Sequence, residues 1–239
     1  MKQTYSDFKI LSGSVLKLLA ILIMAIDHTA AYWLRGMSWC REPWFALGHR
    51  EISLYVVMRL IGRLAFPIFA FLIVEGFLHT RNRWKYGRNL LLFAVLSEIP
   101  WNLVSSDRLL YSGQNVFFTL FFGYLGLCAL EKFQSDFRRK ALSLLGLLLL
   151  SIVFRADYGC AGFGFILMLY LLRNDRLTMA VTGCCFLTAR WIAGLAFIPI
   201  CMYNGRRGFI QGAFGKYLFY LFYPLHLLAL YLLRHFIAG

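Results

Sequence analysis

LLAILIMAIDHTAAYWL, Leu18 to Leu34, is an apolar run long enough to enter a bilayer, yet Asp27 and His28 stand side by side beyond its middle. A spanning helix needs about 20 mostly apolar residues at roughly 1.5 Å rise each. An ionised carboxylate at the centre of such a helix costs on the order of 2.5–3.5 kcal/mol. The pair therefore asks for partners elsewhere in the chain. Of the 239 residues, 60% are hydrophobic and 15% charged, against about half and a quarter in soluble domains. Mean hydropathy is +0.66. Aromatic residues make up 18%, which suits lipid-facing surfaces and interfacial belts. An integral membrane protein is predicted. The first run is too long for a signal peptide and lacks a small-residue cleavage site. A net charge of +14 would suggest nucleic acid in a soluble chain. Here basic cytoplasmic loops explain it, and no nucleic-acid partner is expected.

Further apolar runs lie at about 15–34, 52–78, 89–105, 115–130, 141–154, 160–172, 177–189, 191–203 and 217–235. They predict an all-α, polytopic membrane helix bundle of about nine transmembrane segments, in one domain covering 1–239. The pair 177–189 and 191–203 has so little linker that a re-entrant hairpin is the alternative. With the N-terminus cytoplasmic, sixteen basic residues fall on the inner side, among them Lys2, Lys17, Arg83, Arg207 and Lys216. Seven fall outside, among them Arg35, Arg155, Arg190 and Arg234. That bias sets the orientation. Trp39, Trp44 and Phe45 in the longest outer loop suggest a segment lying in the interface, and His49 is read as solvated or interfacial. The six cysteines show no metal-ligand spacing, so no metal is expected; a Cys40–Cys160 bridge on the outer side stays open.

Other polar groups fall inside these runs. Arg59 and Arg63, four apart, leave one helix face, and Pro67 one turn later should kink the helix. Glu98 and Asn102 are again one turn apart, Asn115 opens the next segment, and His226 sits in the middle of the last. Asp157 and Tyr158 lie at an outer end. With this topology most of these groups fall in the outer half and can share one polar cavity. They are equally compatible, pair by pair, with ion pairs that only fix packing. As a set they mark a functional site, because ionisable residues in membrane helices usually line substrate paths or relays. The loop Thr80–Arg88 owes its charge to topology, or else Arg81, Arg83, Lys85 and Arg88 hold a phosphate-rich ligand such as a nucleotide-bearing coenzyme.

The segments LKLLAILIMAIDH (16–28), RLIGRLAFPIFAFLIVEGF (59–77), SEIPWN (97–102), QNVFFTL (114–120), DYGCAGFG (157–164) and FYPLHL (222–227) together resemble the TraX family in order along nearly the whole chain. The resemblance implies a multi-pass protein of the bacterial inner membrane that N-acetylates F-type pilin in conjugation, or a fimbrial-assembly relative. It further implies acetyl transfer from acetyl-CoA, carried over to Asp27, His28, Gly62, Arg63, Pro67, Glu98, Asn115, Asp157 and His226. The partners expected are acetyl-CoA, a peptide or glycan acceptor, and the lipid bilayer.

The chemistry expected follows from these residue types. His28 acts as general base, since histidine changes charge between about pH 5 and 8. Adjacent helical residues point about 100° apart, so Asp27 is expected to pair with Arg59 or Arg63, leaving Glu98 as the candidate partner of His28. Arg63 or Asn115 would stabilise the tetrahedral oxyanion. A proton-coupled transporter using the same buried charges, or a structural assembly partner, are the alternatives from other classes.

Overall fold

Ser12 starts the first helix. In the computed structural model, which describes residues 9–48 and 50–237, its hydroxyl accepts the Val15 N–H at the head of α1, Gly13–His28. Such a cap satisfies one of the four amides a helix N-terminus leaves unpaired. Leu16, Ala20, Ile23 and Met24 recur at helical spacing and are buried, while Leu18 and Leu22 look outward. Lys2 and His49, and the side chains of Arg190 and Lys216, lie outside the described residues. Directly after His28 the backbone widens into a π-helical turn, Thr29–Trp33, and then tightens into a 3-10 turn, Leu34–Gly36. A short antiparallel hairpin follows, β1 (Phe45–Leu47) against β2 (Arg50–Ile52), with Phe45 opposite Ile52. Trp39, Trp44, Phe45 and Leu47 are all exposed there, as an interfacial segment requires.

The run read as one helix from 52 to 78 is two: α2, Leu54–Gly62, and α3, Ala65–His79. Arg63 and Leu64 form the break. Pro67 is the third residue of α3, and a proline ring crowds the carbonyl four residues earlier, which is that of Arg63. The interruption therefore precedes the proline. Next come α4, Arg83–Ser106, and α5, Val116–Lys132, with Asn82 and Asn115 as their respective side-chain caps. They are followed by α6, Phe137–Val153, and α7, Gly159–Leu171. Asp175 caps α8, Arg176–Phe186; a 3-10 stretch, Thr188–Ala196, leads into α9, Phe197–Cys201; and α10, Gly212–Ile237, closes the chain.

Among the described residues three helical stretches are long and apolar enough to cross a membrane, by length and composition: 13–36, 54–79 and 217–236. The others are shorter or more polar. At 1.5 Å per residue α8 measures about 17 Å, short of a hydrocarbon core of about 30 Å. It turns back through the 3-10 stretch into α9, the geometry of the re-entrant alternative. After α9 the chain returns to where α1 began: the Leu11 N–H donates to Met202 O at 3.0 Å and the Asn204 N–H to Leu11 O at 2.9 Å. At the opposite end, Arg234 of α10 pairs with Asp107, which ends α4 in the left-handed conformation at φ 55°. The two ends of the bundle are thereby tied separately.

The core is organised around α5. Phe117, Phe118, Leu120, Phe122, Tyr124 and Leu127 are all buried, so this helix is enclosed on most of its circumference. Gly123 permits the close approach of α7, because a Cβ there would collide with Ile166; small residues at such contacts let membrane helices pack by dispersion alone. The Tyr124 hydroxyl donates to Arg83 O at 2.6 Å, fastening the start of α4. Cys40 is buried with its thiol donating to Leu34 O at 2.9 Å, and Cys160 is exposed; both are free thiols.

Candidate functional site

Around Asp27 and His28 the helical geometry separates two neighbours into two environments. Asp27 Oδ2 lies 2.7 Å from Arg59 Nη1. Gly62, one turn beyond Arg59, makes the contact: any Cβ at that position would occupy the space of the Asp27 carboxylate. Thus α1 and α2 approach through a glycine, and the ion pair closes over it. Arg63 lies in the break and faces a second space of about 270 Å³, lined also by Phe66, Pro67, Asp157, Tyr158 and Phe186. The Phe66 and Tyr158 rings stack there with centroids 3.7 Å apart. Arg59 and Arg63 therefore serve different neighbourhoods, although their spacing puts them on one helix face.

His28 finds a different partner. Its Nδ1 is 2.6 Å from Nε2 of His226 on α10. The two rings are parallel to within 4°, with centroids 4.9 Å apart. That separation exceeds the nitrogen–nitrogen distance by about two ring radii, so the rings are coplanar and meet end to end, as a hydrogen bond between imidazoles requires. Nδ1 of His226 lies 2.8 Å from Phe222 O. A carbonyl only accepts, so this nitrogen carries the proton. In neutral His226, Nε2 is then the acceptor, and Nδ1 of His28 must donate to it. The chain of bonds fixes the tautomer: Nε2 of His28 is left with a lone pair. Tyr32, one turn after His28, and Tyr223, one turn before His226, pack edge-on against His28 with centroids 5.5 and 6.0 Å away. Tyr32 also meets Trp101, whose indole N–H donates to Gly113 O at 2.9 Å. The π-helical turn that begins at Thr29 is a local signature often found at functional positions.

Five residues expected at the site have structural work. The Glu98 carboxylate accepts the backbone N–H of Asn115 at 3.1 Å and also its side-chain amide; it is not the partner of His28. The amide nitrogen of Asn115 also donates to Ala94 O at 2.8 Å, while its Oδ1 accepts the Phe117 N–H at 3.0 Å. With those bonds made, and with no exposed surface, Asn115 has no donor to offer an oxyanion. Asn102 donates to Leu109 O at 2.8 Å and holds the 107–114 loop. Asp157 and Tyr158 are anchored to the head of α5 through the Tyr158 N–H to Thr119 Oγ1 at 3.2 Å.

A cavity of about 510 Å³ runs between α1, α3, α4, α5 and α10. Most of its wall is apolar: Ile21, Met24, Phe69, Leu72, Phe117, Leu120, Phe219 and Tyr220. One end reaches Met24 and Tyr223, one helical turn from His28 and in contact with it, respectively. The other end is polar, with Lys17, Glu75, His79, Thr80 and Arg207. Of the four basic residues predicted to hold a phosphate-rich ligand, none lines this space. Arg83 is ion-paired with Glu131 and stacks its guanidinium 4.4 Å over Phe77; Arg81, Lys85 and Arg88 are exposed beside it. Among the described residues no group of three or more His, Cys, Asp or Glu side chains converges as a metal site would require.

Sequence reasoning missed Tyr32 and the lining residues Lys17 and Arg207. The one-turn spacing of His28 and Tyr32 was available as a signal, as was that of Tyr223 and His226. Nothing in the sequence linked His28 to His226, which are 198 positions apart.

Comparisons with known proteins cover nearly the whole chain. No solved structure matches. A curated relative from Dichelobacter nodosus, named a probable fimbrial assembly protein FimC of serogroup H1, is 30% identical over 248 residues, covering 90% of this chain and 93% of that protein. The family model of the TraX protein matches residues 12–234, so every helix described above except the last few residues of α10 lies within it, and the chain belongs to the TraX family.

Proposed function

We propose that this protein is a membrane-embedded acetyltransferase that moves an acetyl group from acetyl-CoA to an acceptor at the membrane or its outer side. The observation that carries the reading is the lone pair which the Phe222–His226–His28 chain leaves on Nε2 of His28, on a histidine packed against Tyr223, which lines an apolar cavity with a polar mouth. Such a cavity suits a slender, amphiphilic thioester arm. The family resemblance supports acetyl-CoA as donor. The fimbrial-assembly name of the relative supports a pilin-like peptide N-terminus as the acceptor.

In this mechanism the acceptor amine attacks the thioester carbonyl while Nε2 of His28 removes its proton, so that a C–N bond forms. Collapse of the tetrahedral intermediate breaks the C–S bond, and the proton on His28 leaves with the coenzyme thiol. The balance needs no other reactant. His226 holds the imidazole in the productive tautomer, a role that in acyl-transfer enzymes falls to whichever group orients the base. We assign Arg63, at the break between α2 and α3, to the developing oxyanion, which requires the thioester carbonyl to reach the side of the second space that Arg63 lines. The Asp27–Arg59 pair anchors the helix that presents His28. The protein sits in the inner membrane with its N-terminus cytoplasmic, as a multi-pass bundle of about seven crossing segments in which α8 and α9 form a re-entrant hairpin.

The test is transfer from labelled acetyl-CoA by purified protein in lipid, together with mass spectrometry of surface peptides and envelope material from cells with and without it. An acetyl mass shift that needs the protein and is abolished in a folded His28→Ala variant is expected. Full turnover by that variant would sink the assignment, and a shift on glycan or lipid alone would move the acceptor to a hydroxyl.

A further inference from the structure

The polar mouth of the large cavity is a built feature. The loop Asn204–Gly208 lies across the head of α1, and its backbone is fastened there. The Gly13 N–H donates to Arg206 O at 2.8 Å, the Ser14 N–H to Arg207 O at 2.9 Å, and the Ser14 hydroxyl to the same Arg207 carbonyl at 2.8 Å. Asn204 Oδ1 accepts the Arg206 N–H at 2.9 Å. Gly205 and Gly208 take positive φ, 76° and 86°, and a side chain on Gly208 would strike the hydroxyls of Ser12 and Ser14. This loop can therefore be drawn tightly over α1 only with glycine at that position. The outcome is that both carbonyls face α1, while Arg206 and Arg207 themselves are exposed.

Arg207 lines the cavity together with Lys17 and His79. The acid at this end, Glu75, is balanced by Arg176, whose Nη2 lies 3.5 Å away. The rim is thus cationic, and the wall behind it is apolar. An anion whose uncharged arm enters the cavity would meet Lys17 and Arg207 as it does so, with Arg206 exposed next to Arg207 in the same fastened loop. The 81–88 loop offers a similar number of charges, but Arg83 is engaged with Glu131 and the others stand away from the cavity wall.

We propose that Lys17, Arg206 and Arg207 form a phosphate-binding rim that holds the nucleotide-diphosphate end of the acyl donor, leaving its thioester arm in the cavity. This assignment rests on the acetyl-CoA reading above. Arginine and lysine suit it, since charge-assisted bonds to phosphate are about twice as strong as neutral ones.

The experiment measures Kd for acetyl-CoA on purified protein in phosphatidylcholine nanodiscs. S-acetyl-pantetheine, which lacks the nucleotide and diphosphate, serves as the second probe. The double variant R206Q/R207Q should weaken acetyl-CoA about ten- to hundredfold, the change expected for losing charge-assisted bonds, and leave S-acetyl-pantetheine within about twofold. R206K/R207K should recover much of the loss. R81Q/K85Q/R88Q should stay near the unmodified protein. Loss in that triple variant, with R206Q/R207Q unaffected, would overturn the rim and return the phosphates to the 81–88 loop. Equal weakening of both probes by R206Q/R207Q would also overturn it, since a purely structural defect acts on both. Repeating the titration with phosphatidylglycerol present separates the phosphate sources. An R206/R207-dependent competition by lipid would assign the rim to headgroups and overturn the proposal; an unchanged Kd supports it. If the unmodified protein binds neither probe, the acetyl-CoA reading fails first and takes this inference with it.

Discussion

His226→Ala is the substitution that most directly tests the imidazole pair. Nδ1 of His28 donates to His226 across 2.6 Å, and His226 is held by Phe222 O at 2.8 Å. Truncation leaves the His28 N–H without its acceptor in a largely enclosed site. An orphaned buried donor costs about 1–3 kcal/mol, and the imidazole can escape that cost by moving its proton to Nε2 or by rotating. Both escapes remove the lone pair that would accept a proton from the acceptor. If the whole cost is felt in the transition state, kcat falls roughly 5- to 150-fold. KM for acetyl-CoA should change little, because His226 does not line the large cavity. The assay is steady-state acetyl transfer in nanodiscs, with Kd for acetyl-CoA measured separately. His226→Gln, whose side-chain oxygen can accept from His28, should fall between the parent and His226→Ala. Full kcat in a folded His226→Ala protein would refute the relay. So would a rise in KM at constant kcat, because that pattern reports lost ground-state binding.

Other substitutions separate packing from chemistry. Gly62→Ala forces a methyl group against the Asp27 carboxylate and should destabilise by about 1–3 kcal/mol through overpacking, read as a lower thermal midpoint. Gly146→Ala, on α6 with no atom within 4 Å of the new methyl, is its control and should be neutral or slightly stabilising. Asn115→Ala removes the cap of α5 and the side-chain amide bonds to Glu98 and Ala94 O, leaving Glu98 only the backbone N–H of residue 115, so it should lower the midpoint by more than a simple cap loss of about 0.5–2 kcal/mol. The kcat per folded molecule should stay near normal; a selective loss of kcat would return Asn115 to the oxyanion role. At the head of α8 the Thr178 hydroxyl, with the backbone N–H groups of Thr178 and Leu177, holds the Asp175 carboxyl below the usual carboxylate range. A lowered pKa means the contribution is present at neutral pH and is lost as pH falls through the folded value. Asp175→Ala should therefore reduce stability at neutral pH and matter progressively less in acid, checked by thermal unfolding across that range; a pH-independent defect would contradict the ionised cap.

How much of this was legible depended on the range of the interactions involved. Hydropathy located the apolar runs because each helix must bury or expose its own side chains; the caps Ser12, Asn82, Asn115 and Asp175 fix the starts by local hydrogen bonding. The break at Arg63–Leu64 was readable as a proline effect, and its place follows from the clash acting four residues back from Pro67. The short lengths of α8 and α9 could be suspected only from their linker. Lys17 and Arg207 were assigned to topology alone, because their meeting at one cavity depends on the return of 202–208 to the head of α1, a contact that spans most of the chain.

Asp27 and His28 show where such reading stops. The 100° turn between helical neighbours was enough to assign them to different partners, and it matched Asp27 to the arginine face. It said nothing about which element lay on the other side. Glu98 was the natural candidate for His28 by charge, since a carboxylate is the commonest group to orient a histidine. The structure gives Glu98 to the head of α5, where two donors of Asn115 satisfy it, and brings α10 to His28 instead. The difference is chemical as well as geometric. A carboxylate would hold His28 by stabilising the imidazolium with a full negative charge. His226 is a neutral acceptor backed by a carbonyl, which fixes the tautomer without burying a second anion beside Asp27. Since an unpaired charge is far costlier than a polar group at membrane depth, a histidine pair lets a base sit there with no additional counter-ion, and Arg59 is left for Asp27.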